Sequence, residues 1–218
     1  MVLGHTKKEQ MSRNSLKKFI EISIFFLLIT SCSSLVINEN NNKNNTLDKI
    51  NSIDSQYKNL DTLLYVDIDT QTLVHLKKGT ILKVYKISSS FYGTGSEANS
   101  LKTPLGKHEI YKKLGSNLPE NAILKGRVWN GAIADIIKEA IDTEFDHVTS
   151  RILWLDGLEI GKNKGEGIDS RNRYIYIHGT AEEGLIGKPA SDGCIRMYNR
   201  DVIELFDLVE EKAKVWIY

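Results

Sequence analysis

From Leu63 to Ile87 the chain writes out short segments of alternating polarity with a glycine turn between two of them. LLYVDID covers Leu63–Asp69, Thr72–Leu76 follows, and ILKVYKI covers Ile81–Ile87, with Lys77-Lys78-Gly79 at the reversal. A period of two gives each segment one face to bury and one to leave wet, which is the demand of a strand, not a helix. Gly106–Tyr111, Arg151–Leu155 and Val215–Tyr218 repeat the pattern. It is strongest at Tyr174–His178 (YIYIH), where β-branched and aromatic residues alternate and a histidine followed by glycine ends the run. Gly93-Thr94-Gly95 opens a polar loop, Ser96–Thr103, that Pro104 and Gly106 close. Gly157–Arg173 holds four glycines and several charges and reads as a long loop. Two stretches have helical spacing: Gly131–Phe145, through Ile133, Ile136, Ile137, Ala140 and Ile141, and Arg200–Lys212, through Val202, Leu205, Phe206 and Val209. Many short strands with two helices imply a β-rich mixed α/β fold, a sandwich or rolled sheet with short capping helices.

The N-terminal part is organised differently. Arg13, Lys17 and Lys18 precede a mostly apolar stretch, Phe19–Ile29, and then the small residues Thr30 and Ser31. That is the order of a secretory signal. Its uninterrupted apolar run, Ile24–Ile29, is far shorter than the roughly 20 residues a bilayer span needs. A cysteine directly after Ile29-Thr30-Ser31 resembles the lipobox of bacterial lipoproteins, which implies cleavage before Cys32 and lipid on its sulfur. An ordinary secretory signal or an uncleaved anchor, with Cys32 incidental, is the alternative, and Met11 can serve as the true start. Residues 1–32 are thus expected to be a signal peptide. Residues 33–59, with NENNNKNNT at Asn38–Thr46, are expected to be a flexible tether, too poor in apolar residues to order themselves. Residues 60–218 form one domain large enough for a real core. The implied address is the periplasm, on a membrane through the lipid. Ser33 favours the outer one by the sorting rule of enteric bacteria. The balance of 29 basic and 28 acidic residues leaves no cationic surplus to neutralise phosphates, so nucleic acid is not an expected partner.

If Cys32 is lipidated, Cys194 is unpaired in a compartment where thiols oxidise, and that makes it either a buried small residue or a working thiol. His178 lies sixteen positions earlier, at a strand end, and a returning loop can bring the two together. A thiol with an ordinary pKa of roughly 8.5 is mostly protonated at neutral pH, so an imidazole that takes its proton supplies the nucleophilic form. Gly193 lets the backbone turn sharply before the cysteine. The N–H groups of Gly193 and Cys194 can face a developing oxyanion, a donor role typically worth on the order of 100- to 1000-fold in rate. Arg196, two residues on, projects to the same side in an extended segment and can clamp a carboxylate or favour the thiolate. It can equally be a surface charge or a partner for Asp192. His178, Asp192 and Cys194 lack the spacing of a metal site, so no metal or other cofactor is expected.

Three separated blocks then carry a resemblance. Lys102–Gly106 (KTPLG), Ile177–Thr180 (IHGT) and Ser191–Met197 (SDGCIRM) resemble, in order, the signature of the L,D-transpeptidases with a YkuD-type catalytic domain. The resemblance implies a YkuD-like β-sandwich over about Leu60–Tyr218 and a thioester on Cys194. Its substrate would be a peptidoglycan stem peptide, cut before the terminal D-alanine. An amine on a neighbouring stem would resolve the thioester to a 3→3 cross-link, or join a protein to the wall. Water would make the enzyme an L,D-carboxypeptidase, and an inactive wall-binding lipoprotein is the reading from another class. His178 matches the general base and Gly179 the residue whose carbonyl orients it. Ser191, Asp192 and Arg196 match the remaining, substrate-facing positions. Asp192 departs from the family, which usually has histidine there. Unless Arg196 or another cation offsets it, its charge beside the thiol is expected to raise the thiol pKa and give a slower or retuned enzyme. Trp129, Trp154 and Tyr174, in or beside the variable segment, line the cleft or pack in the core.

Overall fold

The computed structural model describes residues 49–50, 60–144 and 146–218. The expected signal, Cys32 and most of the tether lie outside these residues.

Among the described residues, ten strands run in chain order, all within the unit Ile53–Tyr218: β1 Leu63–Asp67, β2 Thr72–Lys77, β3 Thr80–Ser88, β4 Gly106–Leu114, β5 Ala122–Lys125, β6 Val128–Ile133, β7 Val148–Gly157, β8 Tyr176–Thr180, β9 Ile195–Met197 and β10 Lys214–Ile217. The α-helix Asn199–Leu208 (α1) sits between the last two. The strands form one sheet in the order β4-β10-β1-β2-β3-β9-β8-β7-β5-β6, and β4 also pairs with β7. That extra pairing closes the sheet on itself, with the β5–β6 hairpin hanging from β7. The β-rich mixed fold expected from the alternating segments is what forms, as a rolled sheet. Most pairings are antiparallel; β1–β10 and β8–β9 are parallel.

The interior follows from the alternation. Ile177 of β8 and Ile195 and Met197 of β9 join Leu64, Val66, Ile87, Ile110, Leu153, Leu155, Val215 and Ile217 in one apolar cluster. The helix α1 closes over it with Val202, Leu205 and Phe206. Its first turn is held by Glu183, whose Oε1 accepts from the Asn199 backbone N–H (2.8 Å) and from Asn199 Nδ2 (2.9 Å). A carboxylate there meets the otherwise unpaired N–H groups and the positive end of the helix dipole.

Two expectations change. The helix expected at Arg200–Lys212 is α1, which stops at Leu208 because Val209 is extended. The helix expected at Gly131–Phe145 does not form among its described residues. Its start belongs to β6, and residues 134–144 run without regular structure. Their backbone is tied elsewhere: Ala134 N–H donates to Asn121 O (2.8 Å), Ile137 N–H to Ala181 O (2.8 Å), and Ile137 O accepts from Gly184 N–H (2.9 Å). Ile133 and Ile141 remain exposed, so the helical stripe has no surface to cover.

Candidate active site

The parallel pair β8–β9 carries the site. Its register sets Ile177 opposite Ile195 and His178 opposite Arg196. With the two isoleucines turned into the core, Tyr176, His178, Cys194 and Arg196 share the other face. Cys194 packs beside a small cluster of Leu124, Ile152 and Tyr176 and keeps part of its surface open. Its Sγ accepts from the Tyr176 backbone N–H (3.4 Å) and donates to Tyr174 O (3.4 Å).

His178 is buried, and its Nδ1 donates to Gly179 O at 2.7 Å. That bond puts the proton on Nδ1 and leaves Nε2 as the basic nitrogen. No hydrogen bond joins the imidazole to the thiol in this resting arrangement among the described residues; they share a face and a local field. Gly179 is glycine for want of room. A Cβ there would meet Asn199 Oδ1 at 2.5 Å and Thr149 O at 2.8 Å.

Gly193 adopts φ +114°, in the region that favours glycine, which produces the sharp approach to Cys194. The KTPLG block stands behind this turn: Thr103 Oγ1 donates to Gly193 O (3.1 Å). Ser191, Gly193 and Arg196, expected to face a ligand, are engaged by the protein itself. Ser191 is fully buried; its hydroxyl donates to Cys194 O (2.5 Å) and accepts from the Gly193 N–H (3.3 Å). It therefore braces the turn, and the Gly193 amide, expected at the oxyanion, donates to it in this structure. Arg196 is also buried, with one nitrogen on Glu182 Oε2 (2.9 Å) and another on Asp146 Oδ2 (2.6 Å). It acts as the centre of an ion-pair triad, not as a free carboxylate clamp. Asp192 is exposed.

The electrostatics identify a carboxylate that the motif does not contain. Burial pushes the Cys194 thiol up to about 12. The Tyr176 N–H and the charges of Arg196 and Arg173 oppose the rise, and Asp146 adds to it. Asp192, expected to be the acidic influence on the thiol, is not among the leading ones; Asp146 takes that part from a loop 48 positions upstream. His178 is lowered from its ordinary value by burial, with Arg196 in the same direction and Asp146 and the Gly179 carbonyl against. The resting pair is thus a neutral thiol beside a neutral imidazole.

Residues that sequence reasoning passed over complete the surroundings. Arg173 donates to Gly95 O (3.1 Å) and Lys102 O (2.7 Å), pinning the polar loop next to the cysteine turn. Trp154 and Tyr174, expected at the cleft or the core, stand together as an aromatic wall, ring centroids 5.7 Å apart, with Tyr176 edge-on to Trp154 at 5.8 Å. Trp129 is exposed on β6, its indole N–H donating to Ala132 O (2.9 Å). Among the described residues no group of three or more His, Cys, Asp or Glu is placed to hold a metal ion.

A rolled β-sheet domain with a lone thiol and a backbone-oriented imidazole on one face of a parallel strand pair defines the class. The chain belongs to the YkuD family: the family model for the L,D-transpeptidase catalytic domain matches residues 61–217. YkuD of Bacillus subtilis (strain 168) is 54% identical over 45 residues, 21% of this chain and 27% of that protein. YqjB of the same organism is 45% identical over 53 residues, 24% of this chain and 28% of that protein. These matches therefore span well under two thirds of either relative's own length. Among solved structures, an L,D-transpeptidase from Mycobacterium smegmatis shares 15% identity at a TM-score of 0.43, covering 72% of this chain and 58% of that one. A cysteine-to-serine variant of the Enterococcus faecium L,D-transpeptidase shares 21% at 0.44, covering 73% and 50%.

Proposed function

We propose that the protein is a peptidoglycan L,D-transpeptidase that works through a thioester on Cys194. The observation that carries this reading is the shared face of β8 and β9, where His178 has Nδ1 fixed on Gly179 O and Nε2 left as a base. Both groups start neutral, so the thiol proton moves to His178 as the sulfur attacks, not before. The S–C bond forms at the carbonyl of the third residue of a stem peptide. The C–N bond to the terminal D-alanine breaks, and the imidazolium returns its proton to the departing amine. An amine of a second stem then attacks the thioester, a new amide forms as the C–S bond breaks, and the thiol is restored. When water takes the place of that amine, the product is a tripeptide acid.

Arg196, the register partner of His178, is the member of the Asp146–Arg196–Glu182 triad that opposes premature protonation of the imidazole and favours the developing thiolate; Asp146 works against it at both groups. The test uses the full chain with purified stem tetrapeptides. Dimer formation with release of D-alanine is expected; tripeptide alone would assign the hydrolytic reaction. A carbapenem should leave a mass adduct on the wild type and none on Cys194→Ala. Absence of both product and adduct would overturn the reading. We further propose that Cys32 carries lipid and holds the domain on the periplasmic side of a membrane, supported by the order of charge, apolar run, small residues and cysteine. Labelling of growing cells with an alkyne fatty acid should mark the wild type and not Cys32→Ala.

A further inference from the structure

The β5–β6 hairpin carries a residue that its turn does not call for. Lys125 pairs with Val128, and the two residues between them, Gly126 (φ 57°) and Arg127 (φ 70°), both have positive φ. That is the geometry of a tight hairpin turn, in which glycine and asparagine are favoured and a long side chain carries a steric cost. The guanidinium of Arg127 then folds back onto the aromatic wall. Its central carbon lies 4.9 Å from the Trp154 ring centroid and 4.8 Å from that of Tyr174, and Nη1 donates to Tyr176 Oη at 3.2 Å. Tyr176 is also the residue whose backbone N–H donates to Cys194 Sγ. One tyrosine therefore spans from the sulfur to this guanidinium.

Two arginines act on the thiol and a third, Arg127, is linked to it through Tyr176, and the three are used differently. Arg196 is paired with two carboxylates and Arg173 is occupied by carbonyls. Arg127 has no carboxylate partner among the described residues; the side chains it bonds are the phenols of Tyr176 and Tyr174. A guanidinium backed by aromatic faces presents its donor edge outward, in the fork geometry that matches a carboxylate. The donor peptide of the proposed reaction carries such groups close to its scissile carbonyl: the terminal α-carboxylate, and a side-chain carboxylate where the third residue has one.

We infer that Arg127 is a specificity residue that anchors a carboxylate of the donor peptide at the mouth of the thiol site. The inference rests on the transpeptidase function proposed for Cys194. It assigns the hairpin a task in substrate choice and gives a reason for arginine at a turn position better suited to glycine.

The test compares full-chain wild type, Arg127→Gln and Arg127→Lys on three tetrapeptides: one with all carboxylates free, one amidated at its C-terminus, and one amidated on the third side chain. With the free acid, kcat/KM of Arg127→Gln should fall roughly 10- to 100-fold, mainly through KM, the range expected for loss of a hydrogen bond to a charged group. Arg127→Lys should fall less. The peptide lacking the anchored carboxylate should be turned over equally by wild type and Arg127→Gln, and which amide does so identifies the group held. Alkylation of Cys194 by iodoacetamide, a neutral reagent, should be unchanged, which separates anchoring from collapse of the aromatic wall. An equal loss on all three peptides, or no loss on any, overturns the anchor while leaving the transpeptidase intact. A wild type that releases D-alanine from none of them overturns both.

Discussion

Two carboxylates are near Cys194, one in sequence and one in space, and they have opposite prospects. Asp192 is exposed, so water screens it. Asp146, with its side chain 29% exposed, is held by an ion pair to the same guanidinium that opposes the rise of the thiol pKa. Asp146→Asn should therefore shift the rise of Cys194 alkylation toward lower pH, by removing an anion and leaving Arg196 less neutralised. Asp192→Asn should leave the profile where it is. Iodoacetamide rates from about pH 6 to 11, a span that covers an ordinary thiol and the onset of ionisation of a raised one, read both when followed by mass; a shift for Asp192→Asn alone would reverse the assignment. The thiol and imidazole were legible because each stands in a local signature of a few residues. Asp146, Glu182 and Arg127 were not. Their importance arises from contacts with Arg196 and Tyr176 that the fold creates between distant positions, and a lone acid or arginine in a polar stretch carries no mark of it.

Among the elements, the segment 134–144 shows why a helical stripe can mislead. Apolar residues at i, i+3 and i+4 favour a helix only where a surface awaits them, and here β6 continues through Ile133 while the following backbone bonds to Asn121, Ala181 and Gly184. Glu182 fastens this segment to β9. Its Oε1 accepts from the Thr143 backbone N–H (2.7 Å) and hydroxyl (2.6 Å), and its Oε2 from Arg196. Glu182 is fully buried, so its loss leaves a buried guanidinium with Asp146 alone and frees the loop that carries Asp146. Glu182→Ala should cost about 3–5 kcal/mol, the range for breaking one partner of a buried pair. Urea unfolding measures it, and a loss under about 1 kcal/mol would place the triad among weak surface pairs. The strands were the legible elements: the Lys77–Gly79 reversal lies at the β2–β3 turn, because a period of two with glycine at a positive φ leaves a hairpin few alternatives.

At the scale of the whole domain, three histidines are held neutral inside it, and this sets how stability responds to pH. His108 is buried, with Nδ1 donating to Gly106 O (2.9 Å) and Nε2 accepting from Ser170 Oγ (3.0 Å); burial lowers it from 6.5 to about 4. Burial also lowers His75 and His178. Between pH 6.5 and about 4 the unfolded chain binds protons that the native domain refuses, so stability falls as the medium is acidified. His108 alone accounts for about 3 kcal/mol once the pH is below its native value. Burial would raise Glu109 and Glu159, but Lys212 and Lys214 at the first, and the Lys107 amide with Lys162 at the second, outweigh it and hold both below the ordinary range. Their contribution is likewise lost on the acid side, below the histidine window. The alkaline limb has the opposite origin. Cys194, raised from 9.0 to about 12, stays protonated when the unfolded thiol ionises, and buried Tyr65 and Tyr85 are raised as well, so stability falls again above about pH 9. Urea midpoints should form a plateau from about pH 6.5 to 9 with a decline on each side. His108→Gln, whose amide can reach the same two partners without titrating, should flatten the upper part of the acid limb and leave the alkaline one alone. Midpoints that stay level from pH 6.5 to about 4 in the wild type would mean that these imidazoles take up protons without opening the sheet, and that the bonds to Gly106 and Ser170 do not hold His108 neutral.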